Sequence, residues 1–161
     1  MLVMIHHISI AAHNPQHVAE VLARVLGGKA VPFNAHFGSY MASSLDEYGT
    51  MIEVYPADIE LAPGNQDQEQ TQFHKNANLH QFSPFHAAIS VSLDAEEITQ
   101  IATQAGWRVL RCNRGSFEVM EFWIENHQLL ELLTPEMASQ YLNYTRNRNL
   151  VETLTHSATR V

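Results

Sequence analysis

Four side chains in this sequence have the chemistry and the spacing of a metal centre: His7, Glu53, His86 and Glu131. Glu53 follows His7 by 46 positions and Glu131 follows His86 by 45, so the chain carries two histidine–glutamate pairs at nearly equal separation. Two imidazoles and two carboxylates make a mixed nitrogen and oxygen set suited to Ni, Co, Zn, Mn or Fe. With a divalent ion the set is formally neutral, which removes most of the cost of burying the charges. Without metal, two neighbouring carboxylates repel, and one of them should hold a proton. A lone strand histidine is more often structural than a ligand, and a lone strand glutamate is usually solvated. Placement in duplicate separates these four from that default.

Strand alternation assigns each of the four a face. In residues 3–11 (VMIHHISIA), Ile8 and Ile10 share one face while His7, Ser9 and Ala11 share the other. In residues 85–91 (FHAAISV), Phe85, Ala87, Ile89 and Val91 take one face and leave His86, Ala88 and Ser90 opposite. Small neighbours leave room beside each imidazole. In MIEVYP, Glu53 shares a face with Met51 and Tyr55, and in LLELLTP, Glu131 shares a face with Leu129 and Leu133. A charge in the middle of an apolar strand is costly unless it is paired or bound to metal. His6 is the rival to His7, but its alternation puts it on the opposite side. The other histidines fall in loops and on helix or tail surfaces, with His74 and His80 placed to reach the site from a lid.

The elements that position these residues occur twice. After the first strand, Asn14 is an N-cap with Pro15 at the first helical position, Val18, Val21, Leu22 and Val25 form the apolar stripe, and Gly27-Gly28 closes the helix. Strands are expected near 30–33, 37–43 and 50–55. The second copy has a strand at 85–91, a helix capped by Asp94 and ended by Gly106, and strands near 107–112, 117–124 and 128–133. Both halves read β-α-β-β-β, an α+β fold with mixed sheets and a C-terminal helix. The expected organisation is a first module at 1–56, a polar loop at 57–83 that serves as a lid or a linker, a second module at 84–135, and a helix and tail at 136–161. The helix is expected over 136–150.

Composition bounds the function classes. The chain has 161 residues, 45% of them hydrophobic and 16% charged, enough for a real core. A formal charge of −8 makes nucleic acid or an anionic membrane a poor partner. The longest apolar run is far short of a bilayer span, and the opening segment does not read as a signal peptide. Cys112 is the single cysteine, which fits a reducing cytoplasm. Arg108, Arg111 and Arg114 are grouped but read as a solvated strand edge rather than an anion pocket.

Paired β-α-β-β-β modules, opened by HHISI and FHAAISV and closed by MIEVYP and LLELLTP, resemble the vicinal oxygen chelate superfamily, over roughly residues 3–135. Its members include glyoxalase I, methylmalonyl-CoA epimerase, extradiol dioxygenases, and the fosfomycin and bleomycin resistance proteins. The resemblance implies two modules that each curl a mixed sheet into half of a cup, with metal ligands on the first and last strands of each. Those positions are His7, Glu53, His86 and Glu131. The filled set of two histidines and two glutamates is most similar to that of bacterial glyoxalase I. Ala11 and Ala57 stand where that enzyme has its glutathione-binding arginine and asparagine, so the resemblance does not extend to a glutathione substrate.

The reaction implied is metal-assisted proton transfer next to a carbonyl of a small substrate with adjacent oxygens. Glu131 is the first choice of base and Glu53 the second, and pseudo-symmetry does not choose between them. Two alternatives stand beside it: an Fe(II) ring-cleaving dioxygenase, and a non-enzymatic binding cup. Tyr40, Tyr55, Phe117 and Trp123 could line such a cavity or pack the core. A homodimer is the family-level expectation for assembly.

Overall fold

The computed structural model describes residues 5–62, 72–76 and 85–145. The chain divides into two units, Met1–Pro84 and Phe85–Val161. In the first unit the order is β1 (His7–Ala12), α1 (Pro15–Leu26), β2 (Lys29–Pro32), β3 (Tyr40–Ser43), β4 (Met51–Pro56), β5 (Ile59–Ala62) and β6 (Gln72–Lys75). In the second it is β7 (Ala87–Ser90), α2 (Ala95–Ala105), β8 (Arg108–Asn113), β9 (Glu118–Ile124), β10 (Gln128–Leu133) and α3 (Pro135–Thr145).

The two main sheets have the same topology. Their strand orders are β1-β4-β3-β2 and β7-β10-β9-β8. In each, the first strand runs parallel to the last, and the remaining pairs are antiparallel. A parallel pair needs a crossover, and the helix with its two following strands supplies it. The architecture is therefore α+β, built of two βαβββ modules with a C-terminal helix.

Local signals explain the helices. Asn14 accepts a hydrogen bond from the His17 backbone N–H at 3.2 Å, and Pro15 occupies the first turn, where its missing N–H costs nothing. Asp94 and Glu97 form a complete capping box on α2. Gly27 and Gly106 end the two helices in the left-handed conformation. The buried stripe of α1, from Val18 to Val25, covers the sheet face that carries Ile10, Ala12, Ile52 and Val54. In the second unit Ile98, Ile101 and Ala102 of α2 are buried, as are Phe122, Ile124, Leu130 and Leu132, and Trp107 meets Phe122 edge to face at 5.6 Å. Each core thus lies on one face of its sheet. The other face carries the glutamates, with Tyr55 in the first unit and Val119 and Leu133 in the second buried beside them.

Three sequence expectations need correction. The segment 57–83 is not simply a polar loop, because β5 and β6 pair as an antiparallel hairpin within it. Ile59, Leu61 and Phe73 supply the apolar positions that its polar composition conceals. The strand expected at 85–91 is shorter, Ala87–Ser90, so His86 lies just ahead of it rather than inside. The C-terminal helix is described over Pro135–Thr145, and the rest of its expected span, 146–150, falls outside the described residues. Among those residues no helix is long and apolar enough to cross a membrane.

The turn after α1 depends on close backbone approach. A Cβ on Gly28 would sit 1.7 Å from the Ser43 carbonyl oxygen in β3, whereas Gly27 has open space but a φ of +67°. Gly28→Ala is expected to destabilise by ~3 kcal/mol or more, because backbone must move. Gly27→Ala should cost only ~1–2 kcal/mol of left-handed strain. Denaturant unfolding of both variants checks the order, and equal losses would show that β3 does not press against this turn.

Candidate metal centre

In the first unit the sheet register brings His7 and Glu53 together. Ser9 of β1 pairs with Glu53 of β4, so His7, Ser9 and Glu53 project from the same face. The His7 Nε2 lies 3.9 Å from Glu53 Oε1. Glu53 is only 9% exposed, and its charge is held by neutral donors. The Ser9 hydroxyl donates to Oε2 at 2.8 Å, and the Tyr55 hydroxyl donates to the same oxygen at 3.2 Å. One carboxylate oxygen is thereby held twice, and the other faces an imidazole. The His7 side chain is half exposed. His6 is used otherwise: its Nδ1 lies 2.7 Å from the Tyr48 carbonyl oxygen.

Tyr55 is itself buried. Phe33 meets its ring edge to face at 5.9 Å, and Phe73 of the β5–β6 hairpin lies against it at 5.6 Å. Phe73 also touches His36, with centroids 5.1 Å apart. The hairpin therefore packs over the residue that holds Glu53. Burial, and then the neighbouring Glu53 charge and hydrogen bond, push the Tyr55 phenol up to about 12. His74 is exposed on β6 next to Phe73, and strand alternation turns it to the opposite face of the hairpin. His80 lies outside the described residues.

The second unit repeats the register and changes the chemistry. Glu131 pairs with Ala88, again the residue two beyond the histidine. At the positions equivalent to Ser9 and Tyr55 stand Ala88 and Leu133, which have no hydroxyl to give. Arg114 fills the role instead, donating to Glu131 Oε1 from Nε at 3.2 Å and from Nη2 at 2.8 Å. The same Nη2 donates to Glu121 Oε1 at 2.8 Å, and the Trp123 indole N–H donates to Glu121 Oε2 at 3.1 Å. Glu121 lies directly opposite Glu131 across β9 and β10. Burial alone would raise the Glu121 carboxyl, but hydrogen bonds from Trp123, Arg114 and Cys112 outweigh it and hold the group below its usual range. Hydrogen bonds to Glu131 and then Glu121 raise the Arg114 guanidinium above its ordinary value. Gln128, which is buried, donates to the Phe85 carbonyl oxygen and so anchors the backbone just before His86.

The reading of Arg108, Arg111 and Arg114 as one solvated edge therefore fails for Arg114, while Arg111 pairs with Glu118 at the surface. Glu121, Arg114 and Gln128 were missed from the sequence. Glu121 did carry a signal, since it interrupts an apolar strand in EVMEFWI just as Glu53 and Glu131 interrupt theirs. Of the aromatic residues suggested as cavity lining, Tyr55 and Trp123 hold the carboxylates, whereas Phe117 and Tyr40 are engaged elsewhere. Phe117 packs on Tyr141 and Tyr144 of α3, and the Tyr40 hydroxyl donates to Gln16. Within either unit, no three described His, Cys, Asp or Glu side chains gather closely enough to hold one ion. The first unit brings His7 and Glu53 together, whereas in the second Glu131 is held by Arg114 and His86 lies just ahead of its strand.

No protein-family model and no curated protein matches the sequence. Solved structures do match. The fosfomycin resistance protein FosX from Listeria monocytogenes, in a monoclinic form, is 13% identical with a TM-score of 0.57, covering 89% of this chain and 99% of that one. A FosX mutant from the same organism, solved with Mn(II) and 1S,2S-dihydroxypropylphosphonic acid, is 15% identical with a TM-score of 0.54 and the same coverage of both chains. A glyoxylase/bleomycin resistance protein/dioxygenase domain from Frankia is 12% identical with a TM-score of 0.51, covering 83% of this chain and 98% of that one. At these identities the likeness is one of fold. The chain shares the glyoxalase-like α+β fold of these proteins, the fold its motifs implied.

The Tyr55–Glu53 contact has a measurable signature. The folded phenol keeps its proton to higher pH than an unfolded one, whose value is 10.0, so it stabilises the fold below pH 10 and that contribution is lost as pH rises toward 12. Tyrosinate absorbance of the wild type, less that of Tyr55→Phe, is expected to show a midpoint near 12. Glu53→Gln should move that midpoint down only part of the way, because burial is the larger cause. A midpoint of 10 in the wild type would mean that Tyr55 neither is buried nor faces a charged Glu53.

Proposed function

We propose that His7, Glu53, His86 and Glu131 together hold one divalent metal ion. On this reading the protein is an enzyme of the lyase or isomerase kind that moves a proton next to a carbonyl in a small substrate with two adjacent oxygens. The observation that carries the reading is the state of Glu53: a carboxylate deep in a sheet, with Oε2 held by Ser9 and Tyr55 and Oε1 facing His7 Nε2 at 3.9 Å. Carboxylate and imidazole donors fit Ni, Co, Zn, Mn or Fe. The Mn(II) and vicinal dihydroxy compound bound to the FosX mutant support a metal and a small oxygenated ligand for this fold.

A bound divalent ion would supply Lewis acidity, drawing negative charge onto the substrate oxygens. The residues do the rest. The imidazoles of His7 and His86 act as neutral ligands. Ser9 and Tyr55 keep Glu53 oriented. One of the two glutamates, Glu131 or Glu53, takes the proton from the carbon beside the carbonyl and returns it elsewhere. The phenol of Tyr55 stays protonated and able to donate at neutral pH. We place the reaction in the cytoplasm, since Cys112 is free, and expect a homodimer.

Metal analysis of protein purified without a nickel column tests the reading. About one divalent ion per chain is expected by the four-ligand stoichiometry, lost in the His7→Ala, His86→Ala double variant. Solvent deuterium exchange into α-hydroxy ketones, followed by NMR, is expected to fall by roughly 10²–10⁴ when the base is changed to glutamine, as Glu131→Gln or Glu53→Gln. Protein that neither contains nor takes up metal would be a ligand-binding cup without this chemistry. Bound Fe(II) with oxygen uptake on a catechol would make it a ring-cleaving dioxygenase.

A further inference from the structure

We infer that Arg114 is a positioning residue for Glu131, holding Oε1 so that Oε2 is the oxygen offered to the metal. The inference rests on the metal-binding reading above and adds a residue that the ligand motifs do not contain. Three observations on the page carry it.

First, both hydrogen bonds from Arg114 to Glu131 fall on the same oxygen, from Nε at 3.2 Å and Nη2 at 2.8 Å. A fork-to-fork ion pair would have spread over both oxygens. Among the described residues no donor is placed on Oε2.

Second, this is the arrangement of Glu53 in the other unit, reached with different residues. There Ser9 and Tyr55 both donate to Oε2 and leave Oε1 facing His7. At equivalent register positions the second unit has Ala88 and Leu133, so neither donor can be repeated. The pattern of one doubly held oxygen and one open oxygen is kept although the donors are not. Ligating carboxylates are commonly held in this way by groups outside the metal's own shell.

Third, the guanidinium is itself fixed. Glu121 accepts from Nη2 at 2.8 Å and is held in turn by the Trp123 indole at 3.1 Å. Glu121 sits directly across from Glu131, so without a cation the two carboxylates would repel at a sheet position where both are largely buried. Arg114 screens that repulsion and sets the angle of Glu131. Arg111, three residues earlier, spends its charge on Glu118 at the surface and cannot substitute.

The experiment is calorimetric titration of metal-free protein with Mn(II), comparing wild type with Arg114→Gln, Arg114→Lys and Glu121→Ala. Folding is checked by melting and by the Trp123 indole resonance. Arg114→Gln is expected to weaken Mn(II) binding by roughly 10–100-fold. Arg114→Lys should recover part of this, since it restores the charge but not the two-point grip. Glu121→Ala, which frees the guanidinium without removing it, should weaken binding several-fold, and it decides the matter if Arg114→Gln does not fold. Unchanged or tighter binding in Arg114→Gln or Glu121→Ala would overturn the inference and leave the metal site standing, the tighter case marking Arg114 as a competitor of the ion. Wild-type protein that binds none of Mn(II), Fe(II), Co(II), Ni(II) or Zn(II) in the same titration would instead remove the metal reading, and this inference with it.

Discussion

An ionised carboxylate taken into the body of a sheet loses hydration worth several kcal/mol, and the fold must return it through hydrogen bonds, a counter-charge or a bound ion. Glu53 and Glu131 impose that requirement at equivalent places in the two units. Much of the surrounding structure answers it. Ser9, Tyr55 and His7 surround the first carboxylate, whereas Arg114, with Glu121 and Trp123 behind it, serves the second. In the first unit α1 covers the opposite face of the sheet, and the glutamate faces of both sheets combine polar groups with buried Tyr55, Val119 and Leu133.

The backbone frame is repeated more faithfully than the chemistry placed on it. Strand order, the parallel pairing of first and last strands, and the offset of two residues between histidine and glutamate register all recur. The side chains at equivalent positions do not: Ser9 answers to Ala88, Tyr55 to Leu133 and Met41 to Glu121. Neutral hydroxyl donors therefore support one glutamate and a cation the other. A duplicated frame constrains where a carboxylate stands and leaves open how it is compensated.

What could be read from the sequence was what depends on near neighbours or on repetition. Asn14, Asp94, Gly27 and Gly106 act within a turn of their own position, and each does what its residue type demands. The faces of β1 and β4 followed from alternation, and the duplicate made the His7 and Glu53 pairing credible before any coordinates. Arg114 was out of reach because its partners meet it through the register of three strands, a long-range condition that no short motif records. The hairpin of β5 and β6 was hidden for another reason. Its strands are only four residues each and flanked by polar sequence, so Ile59, Leu61 and Phe73 make too short a pattern to stand out. His86 shows the usual limit at strand ends, where alternation cannot tell the last flanking residue from the first paired one.

The seat of Phe73 on Tyr55 ties the hairpin to the glutamate in both directions. Thermodynamic linkage is reciprocal, so a group that draws Glu53 away from the Tyr55 hydroxyl also removes part of what favours the seated hairpin. A partner that pins the hairpin would, by the same amount of free energy, favour the conformation of Glu53 seen here. The segment that reads as a polar connection is thus coupled, through Tyr55, to how firmly Glu53 is held.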